Sequence, residues 1–210
     1  ESVRSAIRFS APGVYILFTS PEKNGRFGTL VVLNKAEASA SLIDLSTGLE
    51  AARVPTGEGP HEAAVSPDGR TVVAGNYGVR GKPGSSLVVF DLESATVLKT
   101  IDVGPYRRPH GMQWLKDGRH LVVTAEDDRA LLVVDVTEGA IVAAIPTDQE
   151  ISHMVVLSPD EQRAYLSNIG SGSITVIDLA AMKRVANVET GKGAEGIDVT
   201  PDGRQLWVTN

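Results

Sequence analysis

The chain has no cysteine, which excludes disulfides, thiolate metal sites and a cysteine nucleophile while leaving the compartment open. It also lacks a basic surplus. With 26 acidic residues against 20 basic ones the formal net charge is -6, so nothing is left over to neutralise a phosphate backbone, and nucleic acid is not an expected partner. Long apolar runs are missing too. Val14 to Phe18 and Ala140 to Ile145 are among the longest, far short of the roughly 20 residues that cross a bilayer, so no membrane span is expected. No HExxH pair, no GxxxxGK[ST] loop and no haem-attachment or copper-specific motif occurs. The sequence starts at Glu1 with no basic stretch leading into an apolar one. An exported, processed protein, periplasmic or secreted, is the expectation, with the cytoplasm as the alternative.

What is present is a repeat, in a chain of 210 residues whose 42% hydrophobic content can fill a sizeable core. Ser66-Pro67-Asp68-Gly69-Arg70, Leu115-Lys116-Asp117-Gly118-Arg119, Ser158-Pro159-Asp160-Glu161-Gln162 and Thr200-Pro201-Asp202-Gly203-Arg204 recur. Their Asp-to-Asp steps are 49 (68 to 117), 43 (117 to 160) and 42 (160 to 202) residues. Each copy is a turn signal, because Pro presets the first corner, Asp bonds its own downstream backbone and Gly accepts positive φ. Short β-rich segments flank every copy, such as Thr71 to Asn76, His120 to Ala125 and Ala164 to Asn168. A third strand ends in Asp plus an aliphatic residue at Asp44-Leu45, Asp91-Leu92, Asp135-Val136 and Asp178-Leu179, and a fourth strand follows.

Four strands per unit with no helix between them predict an all-β fold, a β-propeller of four-stranded antiparallel blades. Blades are expected at 12–57, 60–104, 109–147 and 152–191, with residues 194–210 supplying two strands of another. An arc of about four and a half blades leaves sheet edges open, so the expectation is one incomplete domain of a seven-bladed ring.

At Leu206-Trp207-Val208-Thr209-Asn210, Ala164-Tyr165-Leu166-Ser167-Asn168, Val72-Val73-Ala74-Gly75-Asn76 and Leu30-Val31-Val32-Leu33-Asn34 the second strand resembles the YVTN-repeat propellers. The Pro-Asp-Gly turn before it and the Val-Ile-Asp strand after it match as well, whereas Ala125 departs from the Asn pattern. Gly59 to Arg70 together with Asn76-Tyr77-Gly78 also looks like the seven-bladed lactonase-type propellers related to 6-phosphogluconolactonase, in one blade only. These resemblances imply a bacterial propeller, often exported.

Seven residues before the turn Asp stand His61, His110, His153 and Glu195, with Tyr15 at the corresponding place in the first blade. If the first strand of each blade lines the central channel, these side chains form a ring at one level. Three roles are open to it. Neutral imidazoles and a carboxylate suit a divalent metal, with zinc, copper or iron as the candidate cofactor on His61, His110, His153 and Glu195. A small organic anion could be held at the channel mouth with help from Arg107 and Arg108. Or the polar residue only caps a loop, and recurs because the repeats duplicated.

The leading expectation is a binding or interaction module for a small organic anion or a protein partner. A lactonase-like hydrolase comes next and a metal-centred redox protein last. Glu62 should face away from His61 on a regular strand unless a bulge intervenes. Tyr77 to Ser86 is expected to be a lengthened loop, Glu126-Asp127-Asp128 a solvated surface turn, and Trp114 and Trp207 packing residues inside blades.

Overall fold

The computed structural model describes residues 14–16, for their backbone, and 28–210. The Tyr15 side chain lies outside the described residues, and so does Thr19 to Arg26, where Pro21, Asn24 and Gly25 predict a lengthened copy of the repeat turn. Every regular element among the described residues is a strand, and no helix there is long and apolar enough to cross a membrane. The first sheet runs in the order β1 (Val14–Ile16), β2 (Thr29–Asn34), β3 (Ser39–Asp44), β4 (Leu49–Pro55). The second comprises β5 (Pro60–Val65), β6 (Thr71–Val79), β7 (Lys82–Asp91) and β8 (Thr96–Asp102). The third holds β9 (Pro109–Trp114), β10 (His120–Ala125), β11 (Ala130–Asp135) and β12 (Ala140–Pro146). The fourth holds β13 (Ser152–Leu157), β14 (Arg163–Asn168), β15 (Ser173–Asp178) and β16 (Lys183–Glu189), and β17 (Ile197–Val199) pairs with β18 (Leu206–Val208). All pairings are antiparallel between sequence neighbours, as in propeller blades.

Two recurrent aspartates fix the hairpins. The turn residues Asp68, Asp160 and Asp202 each accept a bond from a hydroxyl two residues earlier (Ser66, Ser158, Thr200) and from the amide two residues later. The aspartates closing the third strands do the same for the next turn: Asp91 accepts the Ser94 amide at 2.7 Å, Asp135 that of Glu138 and Asp178 that of Ala181. The Asp-plus-aliphatic pattern is therefore half turn chemistry and half packing.

The sheets stack face to face. Val31, Leu33 and Leu42 of the first meet Val72, Val88 and Phe90 of the second. Val73, Leu87 and Ile101 on the other face of the second sheet meet Leu121, Val123 and Leu132 of the third. Val122, Leu131 and Ile145 on the third sheet's far face meet Leu166 and Ile177 of the fourth. Inner strands such as β10 and β11 are thus buried on both faces, so they read as unbroken apolar runs rather than alternating ones. Burying one Leu or Phe side chain stabilises by about 1.5–3 kcal/mol against about 1 kcal/mol for a hydrogen bond, so these seams dominate cohesion between blades.

Arrangement around an axis follows from which strands touch. The first strands β5, β9, β13 and β17 abut in succession, whereas the fourth strands barely approach one another and are largely exposed. First strands are therefore innermost.

Two expectations are corrected. Tyr77 to Ser86 is not a loop: Gly78 pairs with Pro83 and Val79 with Lys82, so β6 and β7 run past the blade as a hairpin closed at Arg80-Gly81. Gly78 (φ +84) permits it, because a Cβ there would lie 2.2 Å from the Gly84 nitrogen. Trp207 is 66% exposed rather than packed, since β18 has no further strand beside it among the described residues. Trp114 is buried, and its indole donates to the Ala64 carbonyl of the preceding blade at 3.1 Å.

Candidate binding site at the channel mouth

Each innermost strand enters its blade through the same backbone device. Two residues before His61, His110, His153 and Glu195 stand Gly59 (φ 60), Arg108 (φ 55), Ile151 (φ 56) and Gly193 (φ 82), all left-handed. Then comes a bulge. Pro60 pairs with Asn76 and Ala63 with Ala74, so His61 and Glu62 together oppose Gly75 alone. In the next blade His110 and Gly111 oppose Thr124, and in the one after it His153 and Met154 oppose Ser167. An extra residue on one strand breaks the strict alternation of faces. This is why Glu62 comes to the same side as His61, its Oε1 lying 3.7 Å from His61 Nδ1.

The backbone of this level is clamped between blades. Thr124 Oγ donates to the His153 carbonyl at 2.7 Å, and Ser167 Oγ donates to that of Glu195. The equivalent residue one blade earlier is Gly75, where a Cβ would lie 2.8 Å from the Pro109 carbonyl oxygen. Backbone closeness replaces the hydroxyl clamp there.

The three histidines come together. Ring centroids of His110 and His153 are 3.9 Å apart, and those of His61 and His110 are 4.6 Å apart. His110 is 2% exposed, and burial followed by the charges of His153, His61 and Lys35 pushes its pKa down to about 2. His153 is shifted downward as well, chiefly by burial, with Glu126, Glu195 and Glu62 opposing. His110 is therefore a neutral imidazole at physiological pH. The Nδ1 atoms of His61, His110 and His153 are all buried without a hydrogen-bond partner.

Tyr77, Lys35 and Glu126, to which the sequence assigned no binding role, complete the site together with Arg108. Tyr77, on the extended hairpin, packs against His61 (5.1 Å) and edge-on against His110 (5.5 Å). The Lys35 ammonium lies 4.8 Å and the Arg108 guanidinium 4.6 Å from the Tyr77 ring centroid. Burial, then the neighbouring Glu126 carboxylate, pushes the Tyr77 phenol up to about 12. Burial, then the Arg108 charge, lowers the Lys35 pKa, while Glu126 opposes. Glu126 Oε2 is buried and unpartnered. The expected solvated acidic turn is thus corrected: Glu126 belongs to the site, while Asp127 pairs with Arg108 (3.3 Å) and Asp128 with Arg107 (2.9 Å).

The expected ring divides accordingly. His61, His110, His153 and Arg108 are assembled. Arg107 is exposed and engaged with Asp128, and Glu195 is exposed on the rim, felt by His153 only through its charge. Among the described residues the ligand atoms close enough to share one ion are those of His61, Glu62 and His110, within 4.8 Å of one another. Glu62 takes the place expected of Glu195.

Fold and site define a β-propeller with a polar, imidazole-rich cluster where its innermost strands begin. Residues 116–210 match the Cytochrome D1 heme domain family. Protein NirF of Stutzerimonas stutzeri is 27% identical over 161 residues, covering 73% of this chain and 41% of NirF. Among solved structures, hydrazine synthase of Kuenenia stuttgartiensis superposes with a TM-score of 0.80 at 25% identity, over 98% of this chain and 57% of that one. A functionally unknown protein of Desulfotomaculum acetoxidans superposes with a TM-score of 0.79 at 14% identity, over 97% and 64%. The chain spans about two-fifths to two-thirds of the length of these relatives. The similarities support a β-propeller, with likeness to the Cytochrome D1 heme domain family confined to residues 116–210, and give no support to the YVTN-repeat and lactonase-type resemblances.

Proposed function

We propose that the protein is a binding module whose channel mouth takes an iron tetrapyrrole of the d1 type. The observation that carries this reading is the stack of three imidazoles with unpartnered, buried Nδ1 atoms, in a chain similar to the Cytochrome D1 heme domain family over residues 116–210. The residues present fit such a group in kind. Imidazole is a common axial ligand of haem iron, and an unpartnered buried nitrogen is a donor whose cost a ligand would offset. His153 lies within the matched residues and is the imidazole we assign to the iron. Lys35 and Arg108, flanking Tyr77, are the cations for the tetrapyrrole's carboxylates, which are the small organic anion this site would recognise. When bound, the iron supplies redox chemistry or ligand exchange; the protein's own residues bind and orient the macrocycle and exclude water around it.

Titration of the full-length protein with d1-type haem, with haem b as the comparison, tests this by absorption spectroscopy. A saturable one-to-one spectral change, lost in His153→Ala and weakened in Lys35→Ala, is the expected result. Unchanged spectra at stoichiometric protein would overturn it. A periplasmic, exported protein is part of the proposal, and the first residue of the mature protein isolated from cells checks it.

A further inference from the structure

We propose that His61, Glu62 and His110 form a binding site for a first-row divalent transition ion, an inference that does not rest on the tetrapyrrole reading although it draws on the same histidine stack. Two imidazoles and one carboxylate converge with ligand atoms within 4.8 Å of one another. A zinc-sized ion with bonds of about 2.0–2.2 Å spaces tetrahedral ligands by about 3.3–3.6 Å, so small side-chain rotations close the set.

Two features bring the cluster together. The bulge at His61-Glu62 exists in the backbone and turns a residue that should face away into a partner. His110 is 2% exposed, and its Nδ1 and that of His61 are both buried without a hydrogen-bond partner. The same bulge in the next two blades carries Gly111 and Met154 where this one carries Glu62, so only one blade of the three offers the carboxylate.

Donor type selects the ion. Two nitrogens and one oxygen favour zinc or iron(II) over magnesium or calcium, which prefer oxygen throughout. Three protein ligands leave a position open for water or a substrate atom, the arrangement of catalytic rather than structural sites.

The test uses metal-free, full-length protein and no tetrapyrrole. Cobalt(II) is titrated while its ligand-field absorption is followed, and zinc uptake is measured by calorimetry, for the wild type, Glu62→Gln and His61→Ala. One equivalent of cobalt with bands of low-symmetry coordination, displaced by zinc and lost in both variants, is expected. Both variants should keep wild-type circular dichroism. Absence of stoichiometric cobalt in the wild type, or bands that persist unchanged in both variants, would overturn the site. Loss of metal uptake in His153→Ala with retention in Glu62→Gln would overturn it too, because the ion would then sit elsewhere in the histidine stack.

Discussion

Between about pH 7 and pH 5 an unfolded chain takes up protons on its histidines while its aspartates, with an ordinary value of 3.8, stay ionised. His110 does not follow in the folded protein, because its pKa is held down to about 2. As pH falls through this window the unfolded state therefore binds increasingly more protons than the native state at this position, approaching one by about pH 5. Stability falls as pH falls, with a limiting slope of about 1.4 kcal/mol per pH unit and a loss of about 2 kcal/mol from pH 7 to pH 5 attributable to His110 alone. Burial of His153 acts in the same direction. The turn aspartates Asp68, Asp160 and Asp202 have lowered values, so their stabilisation is lost only below about pH 4, outside the window. Urea unfolding of the wild type and of His110→Gln across the window isolates the effect. Whatever its overall stability, the variant should depend less on pH. Parallel pH curves for the two proteins would refute the claim that His110 is kept neutral by burial.

Three further outcomes follow from backbone and hydrogen-bond geometry. Ile151→Gly should stabilise by about 1 kcal/mol in thermal or urea unfolding, because Ile151 is a β-branched residue at φ 56 and 40% exposed. Gly84→Ala should destabilise by about 3 kcal/mol or more, since its Cβ would lie 1.9 Å from the Asn76 carbonyl oxygen; it should also weaken haem binding by displacing Tyr77. Asn168→Ala should cost about 1–3 kcal/mol, because Asn168 accepts the buried Ser152 hydroxyl and donates to Ser173 and Thr175.

Much of the fold was legible because its signals are local. The Asp-to-Asp spacing, the turn chemistry and β-rich runs such as His120 to Ala125 each depend on a few adjacent residues. The three histidines were legible for the same reason, sharing one offset from the turn. What escaped the sequence depends on backbone exceptions or on distant segments. Nothing local says that Gly78 and Gly84 let the chain from Tyr77 to Ser86 pair with itself, so it read as a loop. Glu62 was set aside by strict alternation, which the bulge defeats. Lys35 and Glu126 reach Tyr77 from other blades, and no spacing rule connects them.

The ring residues are anchored by atoms that every amino acid possesses. Thr124 and Ser167 grip the carbonyls of His153 and Glu195, and the left-handed residue two places earlier sets the approach of the chain. A side chain at that level can be exchanged without loosening the joint between blades. The channel mouth is thus a rack of sockets on an indifferent frame, and its chemistry can be rewritten one blade at a time. At His110 the neighbouring position must instead remain Gly75, so that socket tolerates change in what it holds but not in what closes it.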